Sequence, residues 1–598
     1  MLRQRPNMIC DKMKNNIEGN KGKELKTLHL PEGIKAALID MDGVLYNSMP
    51  HHAKAWHQMF SEQGITTDPD EFYLYEGMTG GDTIDLIFRR ELKRGASEKE
   101  RKNLYERKAE LFVESGKKEA LQGAADMLFQ LKAMGLKTVL VTGSAQGSLL
   151  DSLDVDYPGY FPKERRVTAL DVSNGKPHPE PYLKGTQKAG VSPAEALVVE
   201  NAPLGVRAGK AAGCFTVAVT TGPIPREEFE KEGADIIFAS MEDFAEWLGH
   251  QRFRRIEEEL LHLSKEMKPA TVTVVTDETV EKAVLPYLKD SEVLKNASLA
   301  VIGAGEENKN MNSVASIWNV LEETGATRKS LVINIGGGMV TDIGGFAAAT
   351  FKRGIDFINV PTTLLGAVDA ATGGKTGVNF NGLKNEIGAF RLPRAVILST
   401  APFASLDSRD LLSGYAEMVK TAFIADENLY KELLNPEKVL LSPALLEKLV
   451  GRCVEIKEEV VSMDPEEKGL RKILNFGHTA GHAFESLSFI RNYDLTHGEA
   501  VAHGMLVELI LSHLVKGFES NDMYRYANEI LKPYYRSAGV SCDDIPQLME
   551  LMAHDKKNAV AGSPNFTLLM SVGNPEFNCY PSLEDIKAAL EIYIDLTA

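Results

Sequence analysis

Short apolar runs that each end at a polar cluster recur along this 598-residue chain, and they restrict the possible folds most strongly. In the first half such runs end at Asp40, Thr142 and Glu200, and helix-like patterns separate them. Strands that alternate with helices form parallel sheets, and the carboxyl ends of these strands meet at one edge, where binding sites form. We therefore predict an α/β fold with a doubly wound parallel sheet and a site at that edge.

The length and a change of pattern predict more than one domain, because 598 residues exceed what one hydrophobic core organises. We predict, in chain order, a flexible tail (1–30), a first α/β domain (31–250), a charged connecting helix (251–268) and a second domain (269–598). Strand patterns in the second domain extend to about residue 410, and amphipathic helices dominate from 411 onward. The second domain is therefore predicted to join an α/β lobe (269–410) to an α-helical lobe (411–598).

Charge and cysteine content narrow the classes of partner. The net charge of −17 argues against nonspecific binding to nucleic acid or to an anionic membrane. The five scattered cysteines form no CxxC pair, which fits a reducing cytoplasm. We find no signal peptide and no stretch long and charge-free enough to span a bilayer. We expect a cytoplasmic protein that binds small molecules, and neither nucleic acid nor membranes.

The polar clusters of the first half contain the groups that phosphoryl transfer needs. Asp40 can attack phosphorus if a cation suppresses the repulsion between the two anions, and Asp42 can serve as acid and base for the leaving oxygen. Thr142 offers a hydroxyl and Lys176 a positive charge to the phosphoryl oxygens. Oxygen ligands of the kind that Mg²⁺ prefers are available from Asp40, Asp42, Glu200 and Asn201.

These elements, in this order over about 34–249, resemble the haloacid dehalogenase-like phosphatase superfamily. Within it, Asp40-Met41-Asp42-Gly43-Val44 is similar to the β-phosphoglucomutase subgroup and its sugar-phosphatase relatives. The insert at about 51–121 resembles the helical cap of these enzymes. The resemblance implies a Mg²⁺-dependent phosphatase that acts on a small (sugar) phosphate. A mutase and a non-catalytic regulatory module are the alternatives.

Two positions depart from the pattern of that superfamily. The second metal-binding position, usually Asp, is Asn201, which removes one negative charge but keeps an oxygen ligand. Gly80 stands where mutases carry an Arg that holds a second phosphate, and this favours a phosphatase over a mutase. His52, at the entrance to the cap, resembles a functional histidine of the family, but it also fits a surface or capping histidine.

In the second half, a glycine-rich turn follows a predicted strand. Gly336-Gly337-Gly338 allows backbone amides to approach a pyrophosphate, and the next helix would direct its positive end at the anion. Nearby carboxylates and a lysine could bind riboses and phosphates, namely Asp277, Glu306, Lys309 and Asp342. The glycine-rich turn alone would also fit an ordinary tight loop.

A pair of histidines in the same half indicates a metal site. His478 and His482 lie one helical turn apart, so that one face carries both imidazoles. A carboxylate combined with imidazoles suits Zn²⁺ or a similar divalent ion. From the spacing alone, both histidines could be ligands.

From Val360 almost to the C-terminus, the motifs resemble the 3-dehydroquinate synthase family. The segments that carry this resemblance are Val360-Pro361-Thr362-Thr363, Gly373-Gly374-Lys375, Ser413-Gly414-Tyr415-Ala416-Glu417, Leu474-Asn475-Phe476-Gly477-His478, His497-Gly498-Glu499 and Asp555-Lys556-Lys557. The resemblance implies that NAD is bound by Asp277, Glu306, Lys309, Gly337, Gly338, Asp342, Thr362 and Thr363. It makes Glu417, His478 and His497 the ligands of Zn²⁺ or Co²⁺, and it assigns His482 to the substrate region.

The catalytic positions implied by this resemblance are Asp369, Lys375, Lys420, Lys457, Arg471, Asn475 and His482. The implied substrate contacts are Arg353, Lys384, Asn385 and Lys556. Arg353 fits a position that reaches across a dimer interface, which implies a homodimer through this domain. A cluster so rich in cations fits a ligand with a carboxylate at one end and a phosphate at the other.

The implied reaction converts 3-deoxy-arabino-heptulosonate 7-phosphate to 3-dehydroquinate and phosphate. It combines oxidation by NAD, elimination of phosphate, return of the hydride and an intramolecular aldol closure. A sibling sugar-phosphate cyclase and a polyol dehydrogenase are the alternatives, although a dehydrogenase would not need Lys457, Arg471 and Asn475 together. Two departures, Ser405-Leu406-Asp407 for Thr-Leu-Pro and Ala370-Ala371-Thr372 for Ser-Ser-Val, bear on affinity more than on reaction class.

Overall fold

The computed structural model describes residues 28–143, 147–381, 383–553 and 563–597. Residues 1–27 of the predicted tail, and Lys556 with its neighbours Asp555 and Lys557, therefore lie outside the described residues. The chain divides into two compact units, Met1–Arg252 and Phe253–Ala598. Each unit has its own sheet and its own hydrophobic core.

The first unit is built on a six-stranded sheet in which all neighbouring strands are parallel. Its strands are β1 (Ala36–Ile39), β2 (Lys137–Val141), β3 (Arg166–Val167), β4 (Ala196–Glu200), β5 (Phe215–Val219) and β6 (Ile236–Phe238). The order β3-β2-β1-β4-β5-β6 places a topological switch point between β1 and β4, where such sheets bind ligands. The predicted doubly wound parallel sheet is confirmed.

Eight helices lie wholly within the described part of this unit. They are α1 (Met49–Glu62), α2 (Gly80–Leu92), α3 (Glu98–Glu114), α4 (Ala124–Ala133), α5 (Gly147–Asp156), α6 (Glu180–Ala189), α7 (Pro203–Ala212) and α8 (Arg226–Lys231). Helices α1 to α3 lie between β1 and α4 and pack around Trp56, Phe60 and Phe72. These three helices occupy the segment that resembles a cap.

The next helix, α9, extends over Met241–Met267 and contains the boundary between the two units. The sequence pattern predicted a helix only from about Arg252, so the helix begins earlier than predicted. Its first part buries Phe244 and Leu248 in the core of the first unit, and its later part buries Ile256 and Leu260 in a core of the second. Because the two apolar stripes belong to different cores, they do not form one continuous amphipathic pattern.

The second unit begins with a parallel sheet in the order β13-β10-β9-β7-β8. Its strands are β7 (Val272–Asp277), β8 (Ser298–Ile302), β9 (Leu331–Gly336), β10 (Asp356–Pro361) and β13 (Ala395–Val396). The helices between them are α10 (Glu278–Ala283), α11 (Met311–Glu323) and α12 (Gly338–Thr350), and an antiparallel hairpin pairs β11 (Lys375–Phe380) with β12 (Leu383–Phe390). The strand predicted before the glycine-rich turn is present as β9, which ends at Gly336.

The rest of the second unit is mainly helical, as predicted. Its helices are α13 (Ser408–Ala425), α14 (Glu427–Leu433), α15 (Pro436–Leu440), α16 (Pro443–Met463), α17 (His478–Ile490), α18 (His497–Lys516), α19 (Ser520–Arg525), α20 (Lys532–Tyr534), α21 (Ile545–Ala553) and α22 (Leu583–Thr597). A short antiparallel hairpin, β14 (Phe566–Ser571) with β15 (Asn574–Cys579), was not predicted.

Helix α18 corrects one statement made from the sequence. By length and composition it could cross a membrane, and in the described part of the chain it is the one helix that meets this criterion. However, 83% of its most apolar 18-residue window is buried inside the protein. Its apolar character is therefore accounted for by its position in the core of the helical lobe.

Candidate active sites

The predicted phosphoryl-transfer residues of the first unit meet at the carboxyl ends of β1, β2 and β4. Asp40 follows β1, Thr142 follows β2 and Glu200 ends β4, and all three side chains are buried. Lys176 lies between two of them, and its Nζ donates to Asp40 Oδ1 and to Glu200 Oε1, both at 2.5 Å. The ammonium group thus joins the predicted nucleophile to a predicted metal ligand.

The surroundings of Asp40 disfavour its charged form. Burial raises the pKa of Asp40 to about 8, and the carboxylates of Glu200 and Asp42 add to this rise while Lys176 opposes it. A nucleophilic aspartate must be ionised. A cation bound beside Asp40 would favour this ionised form.

Asp42 is held by two residues at the start of the cap segment. Ser48 Oγ donates to Asp42 Oδ1 at 2.5 Å, and His52 Nε2 lies 3.0 Å from the same oxygen. Although burial opposes it, the interactions with His52 and Ser48 lower the pKa of Asp42. His52 is therefore buried against a predicted catalytic residue and is not a surface histidine. Ser48 was not predicted from the sequence.

A second missed residue, Glu76, brings a carboxylate from the cap segment into this site. Asn201 Nδ2 donates to Glu76 Oε2 at 3.1 Å, whereas Glu76 Oε1 and Asn201 Oδ1 are buried without a hydrogen-bond partner among the described residues. Burial and the charges of Asp40, Glu200 and Asp42 raise the pKa of Glu76 well above its usual value. Two unsatisfied oxygens beside three further carboxylates have the composition of a site for a hard cation.

A third missed residue, Lys108 of α3, approaches the same site from the cap. Its Nζ lies 2.5 Å from His52 Nδ1 and 5.1 Å from the centre of the Trp56 ring. Burial lowers the pKa of Lys108 to about 7. Lys108, His52 and Asp42 thus form a continuous buried chain of polar contacts from the cap to the sheet edge.

The enclosed space between cap and sheet is small. A cavity of about 70 Å³ is lined by Asp40, Asp42, His52, Glu76, Tyr105 and Lys108, among others. Ligand pockets more commonly enclose ~300–1,000 Å³. In this conformation the site has room for a phosphoryl group but not for a large organic portion.

The Tyr105 ring accounts for the glycine at position 80. A Cβ atom on Gly80 would lie 2.1 Å from the Tyr105 ring, so no side chain fits at this position unless the ring moves. The arginine that mutases place here has no room in this structure.

In the second unit, the residues predicted to bind a dinucleotide follow adjacent parallel strands. Asp277 ends β7, Gly337 and Gly338 follow β9, and Thr362 follows β10. A Cβ atom on Gly337 would lie 3.1 Å from Thr363, and one on Gly338 would lie 3.0 Å from Ala370. The glycines therefore keep the start of α12 close to the loop after β10, and leave its first backbone N–H groups uncovered by side chains of their own.

The other predicted cofactor residues are tied into the same sheet edge. Lys309 Nζ donates to Asp342 Oδ2 at 2.7 Å, and Asn379 Nδ2 donates to Glu306 Oε1 at 2.9 Å. Burial raises the pKa of Asp342 to about 6, against the effect of Lys309. Asp277 accepts hydrogen bonds from the Thr279 and Val280 amides and so caps α10, a structural role that the sequence did not indicate.

The predicted metal ligands Glu417, His478 and His497 lie together, with ligand atoms within 4.8 Å of one another. Both histidines direct Nε2 at Glu417 Oε1, at 3.5 Å for His478 and 3.8 Å for His497. His478 Nδ1 lies 3.2 Å from the Phe476 carbonyl oxygen, a contact that places the proton on Nδ1 and leaves Nε2 for a metal. His482 stacks edge-on against His478, with ring centres 5.5 Å apart.

The predicted cationic residues surround this cluster, and each lysine faces a carboxylate. The pairs are Lys420 with Glu417, Lys457 with Asp369, Lys384 with Glu485, and Lys375 with Glu467. Although burial opposes it, Lys457 and Lys420 hold the pKa of Asp369 well below its usual value. Glu485 and Glu467 were not predicted from the sequence, because neither lies in a motif that carries the family resemblance.

The remaining predicted residues occupy the margin of the site. Arg471 Nη2 donates to the Gly373 carbonyl at 3.0 Å, and Asn475 Nδ2 to Glu467 Oε1 at 3.0 Å. The Asn385 amide donates to Asn379 Oδ1 at 2.9 Å. Within the described ranges Arg353 makes no hydrogen bond or ion pair with the other predicted residues, and Lys556 lies outside those ranges.

Comparison with known proteins decides the family of the second half. It is 44% identical over 338 residues to the 3-dehydroquinate synthase of Parabacteroides distasonis, a match that covers 56% of this chain and 95% of that enzyme. The chain belongs to the 3-dehydroquinate synthase family. Models of the N-terminal and C-terminal parts of 3-dehydroquinate synthase match residues 299–413 and 414–558.

The first half matches a different family. The haloacid dehalogenase-like hydrolase model covers residues 34–213. This half is also similar to a solved structure, a putative β-phosphoglucomutase from Bacteroides vulgatus, at 48% identity over 36% of this chain and 88% of that one, with a TM-score of 0.35. The chain is therefore an enzyme that joins a lyase of the 3-dehydroquinate synthase family to a haloacid dehalogenase-like hydrolase.

Among solved structures, the 3-dehydroquinate synthase half is similar to a 2-deoxy-scyllo-inosose synthase bound to carbaglucose-6-phosphate, NAD⁺ and Co²⁺. The two are 26% identical with a TM-score of 0.50, and the match covers 56% of this chain and 94% of the other. The fold is therefore shared with a synthase named for a different product, 2-deoxy-scyllo-inosose, and the choice between reactions depends on the residues of the site.

Proposed function

We propose that the second unit converts 3-deoxy-arabino-heptulosonate 7-phosphate to 3-dehydroquinate and phosphate, with NAD and a divalent metal ion. The observation that carries this proposal is that a Glu-His-His cluster stands among lysines and an arginine in one site. The 44% identity to a 3-dehydroquinate synthase, against 26% to an inosose synthase, favours this product over that of a sibling cyclase.

The donor set fits a Zn²⁺ or Co²⁺ ion. Glu417 Oε1 is buried without a hydrogen bond within the described residues, and two imidazole nitrogens face it, whereas Oε2 is paired with Lys420. When bound, the metal would polarise the oxygen that is oxidised, and NAD would take up the hydride and return it. Metal binding at Glu417 would also release Lys420 from its present partner, so that the ammonium group could contact the substrate.

The chain's own residues have separate parts in this proposal. Lys457 and Asp369 form a partly buried ion pair, which can hold and return a proton next to the reacting carbon atoms. Lys375 and Asn475, which both contact Glu467, would bind one anionic group of the substrate together with Arg471, and Lys384 would add positive charge. Arg353, which pairs with none of the described residues predicted for its own unit's site, fits the proposal that it serves the second site of a homodimer.

The test is conversion of the heptulosonate phosphate by the full chain, followed by NMR detection of 3-dehydroquinate and by release of phosphate. Chelation is expected to stop conversion, and Zn²⁺ or Co²⁺ to restore it, because Glu417, His478 and His497 would otherwise face one another without a cation. Conversion that is indifferent to chelators, in protein shown to be metal-free, would rule out the proposed site.

For the first unit, we propose a Mg²⁺-dependent phosphatase that acts on a small phosphate ester. The position of Lys176 between Asp40 and Glu200 supports phosphoryl transfer, because this cation can hold nucleophile and metal ligand in register. The contact between Gly80 and Tyr105 argues against a mutase, since the second phosphate would lack its arginine. The small cavity implies that the cap opens to admit any substrate larger than a phosphoryl group.

Glu76 is proposed as an additional Mg²⁺ ligand that replaces the charge missing at Asn201. Glu76→Gln keeps the hydrogen-bonding shape but removes the charge, so the Mg²⁺ concentration for half-maximal hydrolysis of a model phosphate ester should rise about tenfold or more. Glu114→Gln, at an exposed position of the same cap segment, is the control and should leave it unchanged. An unchanged Mg²⁺ requirement in Glu76→Gln would exclude Glu76 as a ligand.

A further inference from the structure

Glu467 occupies a place among the anion-binding residues of the second unit that the reaction does not explain. Its carboxylate contacts Lys375 Nζ, and its Oε1 accepts a hydrogen bond from Asn475 Nδ2 at 3.0 Å. Lys375 and Asn475 are both proposed to hold an anionic group of the substrate. A carboxylate between a lysine and an amide offers the same oxygens that a phosphate would offer.

The loop that presents Glu467 is held in an unusual conformation. Asp464, at the end of α16, accepts hydrogen bonds from the Lys468, Gly469 and Arg471 amides, at 3.0, 2.7 and 3.0 Å. Within this turn Glu467 has a φ of 61°, in the left-handed region that a residue with a β-carbon seldom adopts. Such strain persists where the surroundings compensate for it, and here the compensation includes the contacts with Lys375 and Asn475.

Arg471 lies next to this loop and is incompletely satisfied. Its Nη1 donates to the Pro465 carbonyl at 2.8 Å and its Nη2 to the Gly373 carbonyl at 3.0 Å. Its Nε is buried without a hydrogen-bond partner among the described residues. The pocket thus contains a buried donor, Arg471 Nε, that an anion could satisfy.

We propose that Glu467 is an internal anion that occupies the phosphate position between Lys375 and Asn475, and that it exchanges with the phosphate of the substrate and of the product. This inference rests on the proposed function of the second unit. Half of the Lys375 side chain is exposed, so a solute can reach the pair from solvent. The return of the Glu467 carboxylate to Lys375 and Asn475 would help the released phosphate to leave.

Exchange of this kind has a measurable consequence. The free energy of the contacts that Glu467 makes is lost when phosphate binds, so the apparent affinity for phosphate is lower than that of an open pocket. Removing the charge of Glu467 should therefore tighten the binding of inorganic phosphate, although it removes a charged residue from the site. A residue that only braces Lys375 and Asn475 would have the opposite effect.

The test compares Glu467→Gln with the unchanged chain and with Glu466→Gln, a control at the next position whose carboxylate pairs with exposed Lys468. Inorganic phosphate is titrated calorimetrically into each full-length protein in the presence of NAD and Zn²⁺. Any phosphate that the first unit binds contributes equally in all three proteins, so it does not affect the comparison. Glu467→Gln is expected to bind phosphate about fivefold more tightly, and Glu466→Gln to match the unchanged chain.

Equal or weaker phosphate binding in Glu467→Gln would overturn the proposal. Glu467→Ala, checked for folding by its melting profile, should also bind phosphate more tightly than the unchanged chain. Weaker phosphate binding in Glu467→Ala would mean that Glu467 only holds Lys375 and Asn475 in place. The inhibition constant of phosphate against heptulosonate phosphate turnover gives a separate readout and should fall in parallel. Absence of turnover in the unchanged chain would contradict the proposed function but would leave the calorimetric comparison decisive for Glu467.

Discussion

Glu485 shows how one buried carboxylate can connect two functions within the second unit. Its Oε1 accepts from Lys384 Nζ at 2.8 Å, and its Oε2 lies 3.7 Å from His497 Nδ1. His497 uses its other ring nitrogen to face Glu417. A carboxylate on Nδ1 fixes the tautomer of a metal-binding histidine, so Glu485 would orient His497 and hold a proposed substrate contact at the same time.

Glu485→Gln should therefore weaken metal binding. We expect the affinity for Zn²⁺ to fall by about 10–100-fold, because the amide holds the His497 ring less firmly. Competition with a chromogenic chelator measures this without turnover. Retention of Zn²⁺ as tight as in the unchanged chain would show that Glu485 does not orient His497.

Helices α17 and α18 position the metal ligands relative to each other. Glu508 of α18 is fully buried and accepts hydrogen bonds from the Gly477 and Thr479 amides, at 2.7 and 3.1 Å, at the N-terminus of α17. Helix α17 begins at His478, and α18 begins at His497. The Glu508 carboxylate on α18 thus accepts hydrogen bonds from the free backbone N–H groups at the N-terminus of α17, and its negative charge interacts favourably with the dipole of that helix.

Removing this carboxylate should loosen the metal site from a distance. Glu508→Gln replaces an acceptor oxygen with an amide donor next to backbone N–H groups, which should cost about 1–3 kcal/mol of stability in the second unit. Glu519→Gln, at an exposed position beyond the end of α18, is the control. Thermal unfolding and Zn²⁺ release on heating measure the effect, and identical profiles for the two variants would contradict it.

Helices and strands are predicted well from the sequence where their apolar pattern faces a single hydrophobic core. Strands β1, β2, β4 and β7 each end at or just before a polar residue that the pattern identified, and β9 ends at the glycine-rich turn, because buried parallel strands are continuously apolar. The start of α9 and the β14–β15 hairpin escaped prediction, since α9 faces two cores and the hairpin is short. Glu76, Lys108 and Glu467 escaped because tertiary packing brings them to their sites.

At the scale of the whole molecule, the chain joins two units, and the two sets of proposed chemical groups do not share a residue. Asp40, Lys176, Glu200 and Glu76 belong to the first unit, and the dinucleotide, metal and cation residues belong to the second. Family matches assign these units to different enzyme families. The central claim is therefore that one polypeptide carries two separate active sites, a cyclase and a phosphatase.

A paired measurement of both activities in Asp40→Asn and Arg471→Ala tests this claim most directly. Asp40→Asn keeps the shape of the nucleophile but not its charge, so phosphate ester hydrolysis should fall by orders of magnitude while 3-dehydroquinate formation is unchanged. Arg471→Ala should abolish 3-dehydroquinate formation and leave both NAD binding and ester hydrolysis intact. If either substitution, in protein with an unaltered melting profile, lowered both activities in proportion, the two sites would be coupled and the account of two separate enzymes would be wrong.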